Sequence, residues 1–142
     1  MAGFRWEFAI LDCEDQYRVI KRVCKSLGVD EGKWPARQIQ WYINKEKDEC
    51  RRSSQAESGD DYFVEQMTKV YVEYEQLCER ESLVDFGELL LRSLILLSSN
   101  ESLLSHYQKR FKHILVDEFQ DTNEVQYQLL SLSLIHISEP TR

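Results

Sequence analysis

The sequence predicts a mostly α-helical chain that ends in one strand and one helix of a parallel α/β sheet. Two observations lead there. Apolar residues recur at three- and four-residue steps through most of the first 110 positions, the mark of helices with one buried face. The triplet Ile114-Leu115-Val116 is short, apolar and without alternation, as a central strand covered on both faces would be. Nothing else reads clearly as a strand. A lone buried parallel strand leaves its own backbone groups unpaired, so its sheet partners are expected elsewhere and the chain reads as a fragment.

In chain order, the first helix is expected over Asp15 to Leu27, where Tyr17, Ile20, Val23, Cys24 and Leu27 mark one face. Asp12 is its N-cap candidate, and Gly28 stands where a left-handed residue would end it. A second helix is expected from Pro35, whose fixed φ suits a first turn, through Ile39, Tyr42 and Ile43 towards Glu49. The stretch "RRSSQAESGDD", Arg51 to Asp61, is polar and lacks an apolar period, so it reads as an exposed loop. Val64, Met67, Val70, Tyr71, Tyr74, Leu77 and Cys78 then draw a helical stripe that reads as packing. "VDFGELLLRSLILL" follows, with Asp85 as N-cap and Glu88 three residues later in a capping-box arrangement. Its near-continuous leucines predict burial on more than one side. A short helix with Leu103, Leu104, Tyr107 and Phe111 on one face leads into the strand.

Composition narrows the function classes. No apolar run is long enough to span a bilayer, and the N-terminus lacks the basic-then-apolar order of a signal peptide, so a soluble cytoplasmic protein without a membrane partner is expected. Cys13, Cys24, Cys50 and Cys78 are far apart and form no paired metal-ligand spacing, which predicts reduced structural thiols. With 25 acidic against 18 basic residues the net charge is -7, so any nucleic-acid contact must be local.

The chemistry concentrates in "HILVDEFQDTNEVQ", His113 to Gln126, which sets Asp117, Glu118 and Asp121 just past the apolar triplet. In doubly wound α/β proteins ligands bind beyond the carboxyl ends of the strands. A carboxylate there can hold Mg²⁺ opposite a nucleotide's phosphates while its neighbour orients or deprotonates a water, as on the Walker B strand of a P-loop ATPase. The plainer alternative is that Asp117 and Glu118 cap the following turn and helix.

"ILVDEFQDTN" resembles motif II of the UvrD/Rep/PcrA family of superfamily 1 DNA helicases, in which D-E-x-Q-D follows the strand. "FAILDCEDQYRVIKR", "WPARQIQWYINKEKDE" and "LVDFGELLLRS" resemble the same family in order and spacing, so the likeness covers Phe8 to Leu130. The resemblance implies a bacterial, nucleoid-associated, ATP- and Mg²⁺-dependent helicase that moves 3′ to 5′ on single-stranded DNA in repair or replication. Single-stranded and duplex DNA, and repair proteins, would be its partners. Asp117 would take the Mg²⁺ and Glu118 would be the catalytic base. Asp117, Glu118 and Gln120 would bind the nucleotide, and Gln120 with Asp121 would belong to the surface that couples it to DNA. By the same resemblance, residues 1–110 would be the helical insertion subdomain, and 111–131 the Walker B strand and following helix of the RecA-like ATP-binding domain.

The departures from that pattern matter as much. No G-x-x-x-x-G-K-[ST] occurs, so the loop that cradles phosphates is missing and this chain alone is not expected to hydrolyse ATP. From Leu132, "LSLIHISEPTR" resembles the conceptual translation of a transposase adapter used in preparing sequencing libraries, so 132–142 is set aside as a non-native tail.

For DNA contact the candidates are Lys45 and Lys47 with Trp41, and Trp34, Trp41 and Tyr42 could stack on bases. Further basic groups are Lys21, Arg22 and Lys25, then Arg51 and Arg52, then Lys109, Arg110 and Lys112. Against this stands a bland reading, that the cations are solvated faces and the aromatics core. Two other functions stay open: a stand-alone, non-enzymatic helical module that binds DNA or protein, and a helicase-nuclease subunit.

Overall fold

The computed structural model describes residues 7–56, 61–110 and 122–134. In chain order its elements are β1 (Ala9–Leu11), α1 (Cys13–Leu27), α2 (Ala36–Asp48), α3 (Tyr62–Glu81), β2 (Leu83–Asp85), α4 (Phe86–Ser99), α5 (Glu101–Arg110) and α6 (Glu124–Leu134). The mostly helical fold class is as expected from the sequence.

The helix ends form where the side chains predict. Asp12 caps α1 by accepting the Asp15 N–H at 2.7 Å, and Gly28 ends it at φ 66°, a left-handed turn that glycine adopts without strain. Pro35 enters α2 at φ -58°, and Asp61 caps α3 by accepting the Phe63 N–H. Asp85 caps α4 through the Glu88 N–H at 2.7 Å. The Glu88 side chain does not return to the cap as a full capping box requires, because three cations hold it elsewhere.

α1, α2 and α3 pack on one another around a core in which Ile20, Val23 and Cys24 meet Ile39 and Ile43, and both meet Met67, Tyr71 and Tyr74. Each of these large side chains contributes about 1.5–3 kcal/mol by leaving water. Tyr62, which opens α3 ahead of that stripe, is exposed and, with Phe63, lies against the half-buried Trp34.

Three expectations need correction. Ala9–Leu11 and Leu83–Asp85 are strands and pair in parallel, Ala9 opposite Leu83 and Leu11 opposite Asp85. Three residues cannot display a period, so a pairing made across the whole helical region has no local signature. The Arg51-to-Asp61 stretch is tied down where it is described. Ser53 donates its N–H and hydroxyl to Glu75, and the Arg51 carbonyl accepts the Tyr71 hydroxyl at 2.8 Å. The leucine-rich α4 buries Leu91 and Leu94 but leaves Ile95 48% and Leu96 53% exposed, since the described elements cover only one of its sides. The strand expected at Ile114 to Val116 lies outside the described residues. No helix among the described residues is long and apolar enough to cross a membrane.

Ile43 is fully buried between α1 and α3, so Ile43→Ala should lower the unfolding free energy by about 2–5 kcal/mol in a urea titration. Tyr62→Ala, at an exposed ring, should stay within about 0.5 kcal/mol of the parent. Equal losses at the two positions would contradict this core.

Candidate functional site

Asp85 is the last residue of β2 and the N-cap of α4, so its side chain is fixed at the carboxyl end of the parallel strand pair. The Oδ1 atom accepts the Glu88 N–H, while Oδ2 accepts the Lys47 ammonium at 2.7 Å, the Tyr74 hydroxyl at 2.6 Å and the Gln16 amide at 3.3 Å. Gln16 comes from α1, Lys47 from α2 and Tyr74 from α3, so one buried carboxylate joins the first four helices. A Cβ on Gly87 would come within 3.4 Å of the Lys47 stem, which is why the first turn of α4 can lie against that side chain.

Glu88 extends the cluster. Its carboxylate receives Arg92 Nε at 2.6 Å and Arg52 Nη1 at 2.9 Å, with Lys47 Nζ 3.4 Å away. Burial alone would raise its pKa, but Lys47, Arg92 and Arg52 outweigh burial and hold it well below the carboxylate range, at about 2. Burial, then the charge of Asp85, pushes the Tyr74 hydroxyl far above its ordinary value. On the other side of Asp85, Gln16 accepts the amides of Gln40 at 3.0 Å and Asn44 at 3.2 Å, and Gln40 also reaches the Cys13 carbonyl at 2.8 Å. No buried side-chain polar atom among the described residues lacks a partner.

This cluster does not look like a reaction centre. A carboxylate with a pKa near 2 has no proton to give at neutral pH. Burial lifts the Cys78 thiol to about 11, so it stays a protonated, poor nucleophile. The cations lining the adjoining cavity of about 500 Å³, Lys47, Arg52 and Arg92, are already matched by Asp85 and Glu88.

The residues expected to carry chemistry, Asp117, Glu118, Gln120 and Asp121, lie outside the described residues. Their flanks are described. Beyond them Asn123 caps α6, its side chain accepting the Gln126 N–H at 2.9 Å while its own N–H meets the Gln126 side chain. α6 packs on α2, α4 and α5, burying Val125, and Gln108 of α5 donates to the Leu132 carbonyl at 2.6 Å. α6 is thus part of the helical body.

Of the expected DNA-contact residues, Trp41 and Lys45 share an exposed face of α2, with Trp41 64% exposed and Lys45 Nζ 5.1 Å from its ring centroid. Lys47 departs from the expectation. Its side chain is 3% exposed and its ammonium is committed to Asp85, so a phosphate contact through it would have to break that pair. Arg22 is bound to Glu81, Arg51 to Glu46 and Glu49, and Arg52 to Glu88. Lys21, Lys25, Lys109 and Arg110 are exposed, and Lys112 lies outside the described residues. Sequence reasoning missed Gln16, Asn44 and Tyr74 as a polar hub. A signal did exist, since Gln16 stands one turn before Ile20 on the stripe that α1 buries.

The family described as the UvrD/REP helicase N-terminal domain matches residues 1–137. That match, like α6, runs past Leu132 into the stretch set aside as a tail. DNA helicase II of Escherichia coli (strain K12) is 48% identical over 131 residues, 92% of this chain and 18% of that protein. The Salmonella typhimurium DNA helicase II is 48% identical over 126 residues, 89% of this chain and 18% of that protein. The ATP-dependent DNA helicase PcrA of Leuconostoc citreum is 33% identical over 131 residues, again 92% and 18%. The chain thus spans 18% of the length of these curated relatives.

Two outcomes follow from the cluster. Asp85→Ala, which strands the buried Lys47 and removes a cap, should cost about 3–5 kcal/mol in urea unfolding. Glu88 has a folded pKa of about 2 against an ordinary 4.5, so its contribution is complete above pH 4.5 and disappears as pH falls towards 2. That contribution is about 3 kcal/mol, and a Glu88→Gln chain should show a flatter stability profile through this window.

Proposed function

The chain belongs to the UvrD/REP helicase family, and on that footing we propose that it is part of an ATP-dependent DNA helicase that moves 3′ to 5′ along single-stranded DNA in repair or replication. The observation that carries this reading is the D-E-x-Q-D string behind an apolar triplet, inside the stretch that matches the family. Its donor set fits the group it would serve. Mg²⁺ takes hard oxygen ligands, often one or two carboxylates beside substrate phosphates. When bound, ATP with Mg²⁺ would supply the phosphoryl group and the charge that polarises it.

Asp117 would hold the metal, directly or through water. Glu118, its neighbour in the sequence, would take the proton of the attacking water. Gln120 lies on the nucleotide side, and Asp121 belongs to the surface that couples it to DNA. Residues 1–110 form the helical insertion subdomain, 111–131 enter the ATP-binding domain, and 132–142 are a foreign tail. Trp41 and Lys45 contact DNA from the exposed face of α2, while Lys47 supports that helix from beneath. The site of action is the bacterial nucleoid, with repair proteins as partners. Because the sequence holds no phosphate-cradling G-x-x-x-x-G-K-[ST], the chain by itself does not turn over ATP.

In the full-length protein, Glu118→Gln should lower the DNA-stimulated rate of ATP hydrolysis by about 10²–10⁴-fold while DNA affinity is kept. An unchanged rate in a steady-state phosphate-release assay would remove Glu118 from the reaction and the helicase reading with it.

A further inference from the structure

Along the outward sides of α1 and α2, cations and rings alternate. Lys21 Nζ lies 5.4 Å from the Tyr17 ring centroid, and the Arg37 guanidinium lies 3.9 Å from the same ring. Trp41 follows Arg37 by one turn of α2, and Lys45 follows Trp41 by another, its Nζ 5.1 Å from the indole. Arg37, Trp41 and Lys45 thus form one stripe, opposite the face that Ile39 and Ile43 bury, and Tyr17 and Lys21 carry it across to α1.

Tyr17 also packs against the core from its half-buried place on α1, but folding does not need the exposed rest of this surface. A tryptophan left 64% exposed forgoes most of the free energy that burying it would give, and a solvent-exposed cation over a ring adds little in return. The arrangement does meet the requirements of an unpaired nucleic-acid strand. Rings and guanidinium planes stack on bases whatever their sequence, and ammonium groups between them neutralise phosphates. Arg37 is held in place before any ligand arrives, by Glu14 at 2.8 Å and Gln40 at 3.2 Å, so its outer plane is already presented. Two acids of α1 are engaged, Glu14 with Arg37 and Asp15 with Arg18. Lys21 and Lys45 have no carboxylate partner among the described residues, which leaves the strip positive on a chain that is acidic overall. Bases stacked inside a duplex present no faces to such rings, so the chemistry selects single strands.

We propose that Tyr17, Lys21, Arg37, Trp41 and Lys45 form a stacking platform for single-stranded DNA that spans α1 and α2. The proposal rests on the helicase reading above and extends its DNA contact to Arg37 on the same stripe of α2 and to Tyr17 and Lys21 on α1.

The test is fluorescence anisotropy of the 142-residue chain with a labelled oligothymidylate of about 20 nucleotides, and with a duplex of the same length. The single strand should bind more tightly than the duplex, with affinity falling steeply as salt rises. Trp41→Ala and Arg37→Ala should each weaken binding about tenfold, and Arg37→Lys should stay weak because an ammonium has no plane to stack. Tyr17→Leu should weaken binding about threefold by releasing the guanidinium, and Lys69→Ala, on α3, should change nothing. All the altered side chains are at least partly exposed, and a melting curve for each variant confirms that it is folded. If Arg37→Ala and Tyr17→Leu bind like the parent while Trp41→Ala does not, the platform is overturned and a contact through α2 alone remains. Failure of the parent chain to bind the oligonucleotide also overturns the platform. The helicase reading is judged separately, by the Glu118→Gln hydrolysis assay.

Discussion

Every long element of the helical body reaches one carboxylate. Asp85 accepts a hydrogen bond from each of α1, α2 and α3 while capping α4, and it does so from the end of a strand paired in parallel with β1. A charge taken out of water is tolerated only where its lone pairs are filled. That requirement fixes the rotation of three helices at once: α1 must present Gln16, α2 must present Lys47 and α3 must present Tyr74. The apolar core around Ile20, Ile39 and Tyr71 supplies most of the drive to fold but little of the direction, because burial is proportional to area and not to orientation. The polar hub supplies the direction.

A buried ion cluster is a weak source of net stability, since the desolvation of five charged groups offsets much of their attraction. Its worth here is positional. Lys47 sits on the inner side of α2, and Trp41 and Lys45 on its outer side, so the pair that locks Lys47 to Asp85 also sets where the exposed rings and cations face. α6, which begins just beyond Asp121 and Thr122, packs against α2 and α4. The frame that orients the outer surface is thus the same frame on which the chain settles after its carboxylate string.

Within the buried cluster, Glu88 is kept ionised and the Cys78 thiol is kept protonated. The string Asp117 to Asp121, to which the proposed function assigns the chemistry, lies outside the described residues. The family match covers residues 1–137, and the chain spans 18% of the length of its curated relatives. The uncovered side of α4, with Ile95 and Leu96 exposed, belongs to the same picture.

Local chemistry determined what the sequence alone could reveal. Asp12, Gly28, Pro35, Asp61 and Asp85 mark helix ends because caps, left-handed turns and fixed φ angles act within a few residues. The α3 stripe was legible because a period repeated over four turns is hard to mistake, and the D-E-x-Q-D string carries a resemblance because its residue types and spacing are specific. The tertiary structure decided the rest. Three-residue strands joined across the whole helical region carry no period of their own, so β1 and β2 were invisible until paired. Lys47 and Trp41 look equally solvent-facing on paper, yet one is the buried partner of a carboxylate far along the chain and the other stands in the open. Whether a charged side chain meets water or a counter-ion depends on what distant segments bring beside it, and no local pattern encodes that.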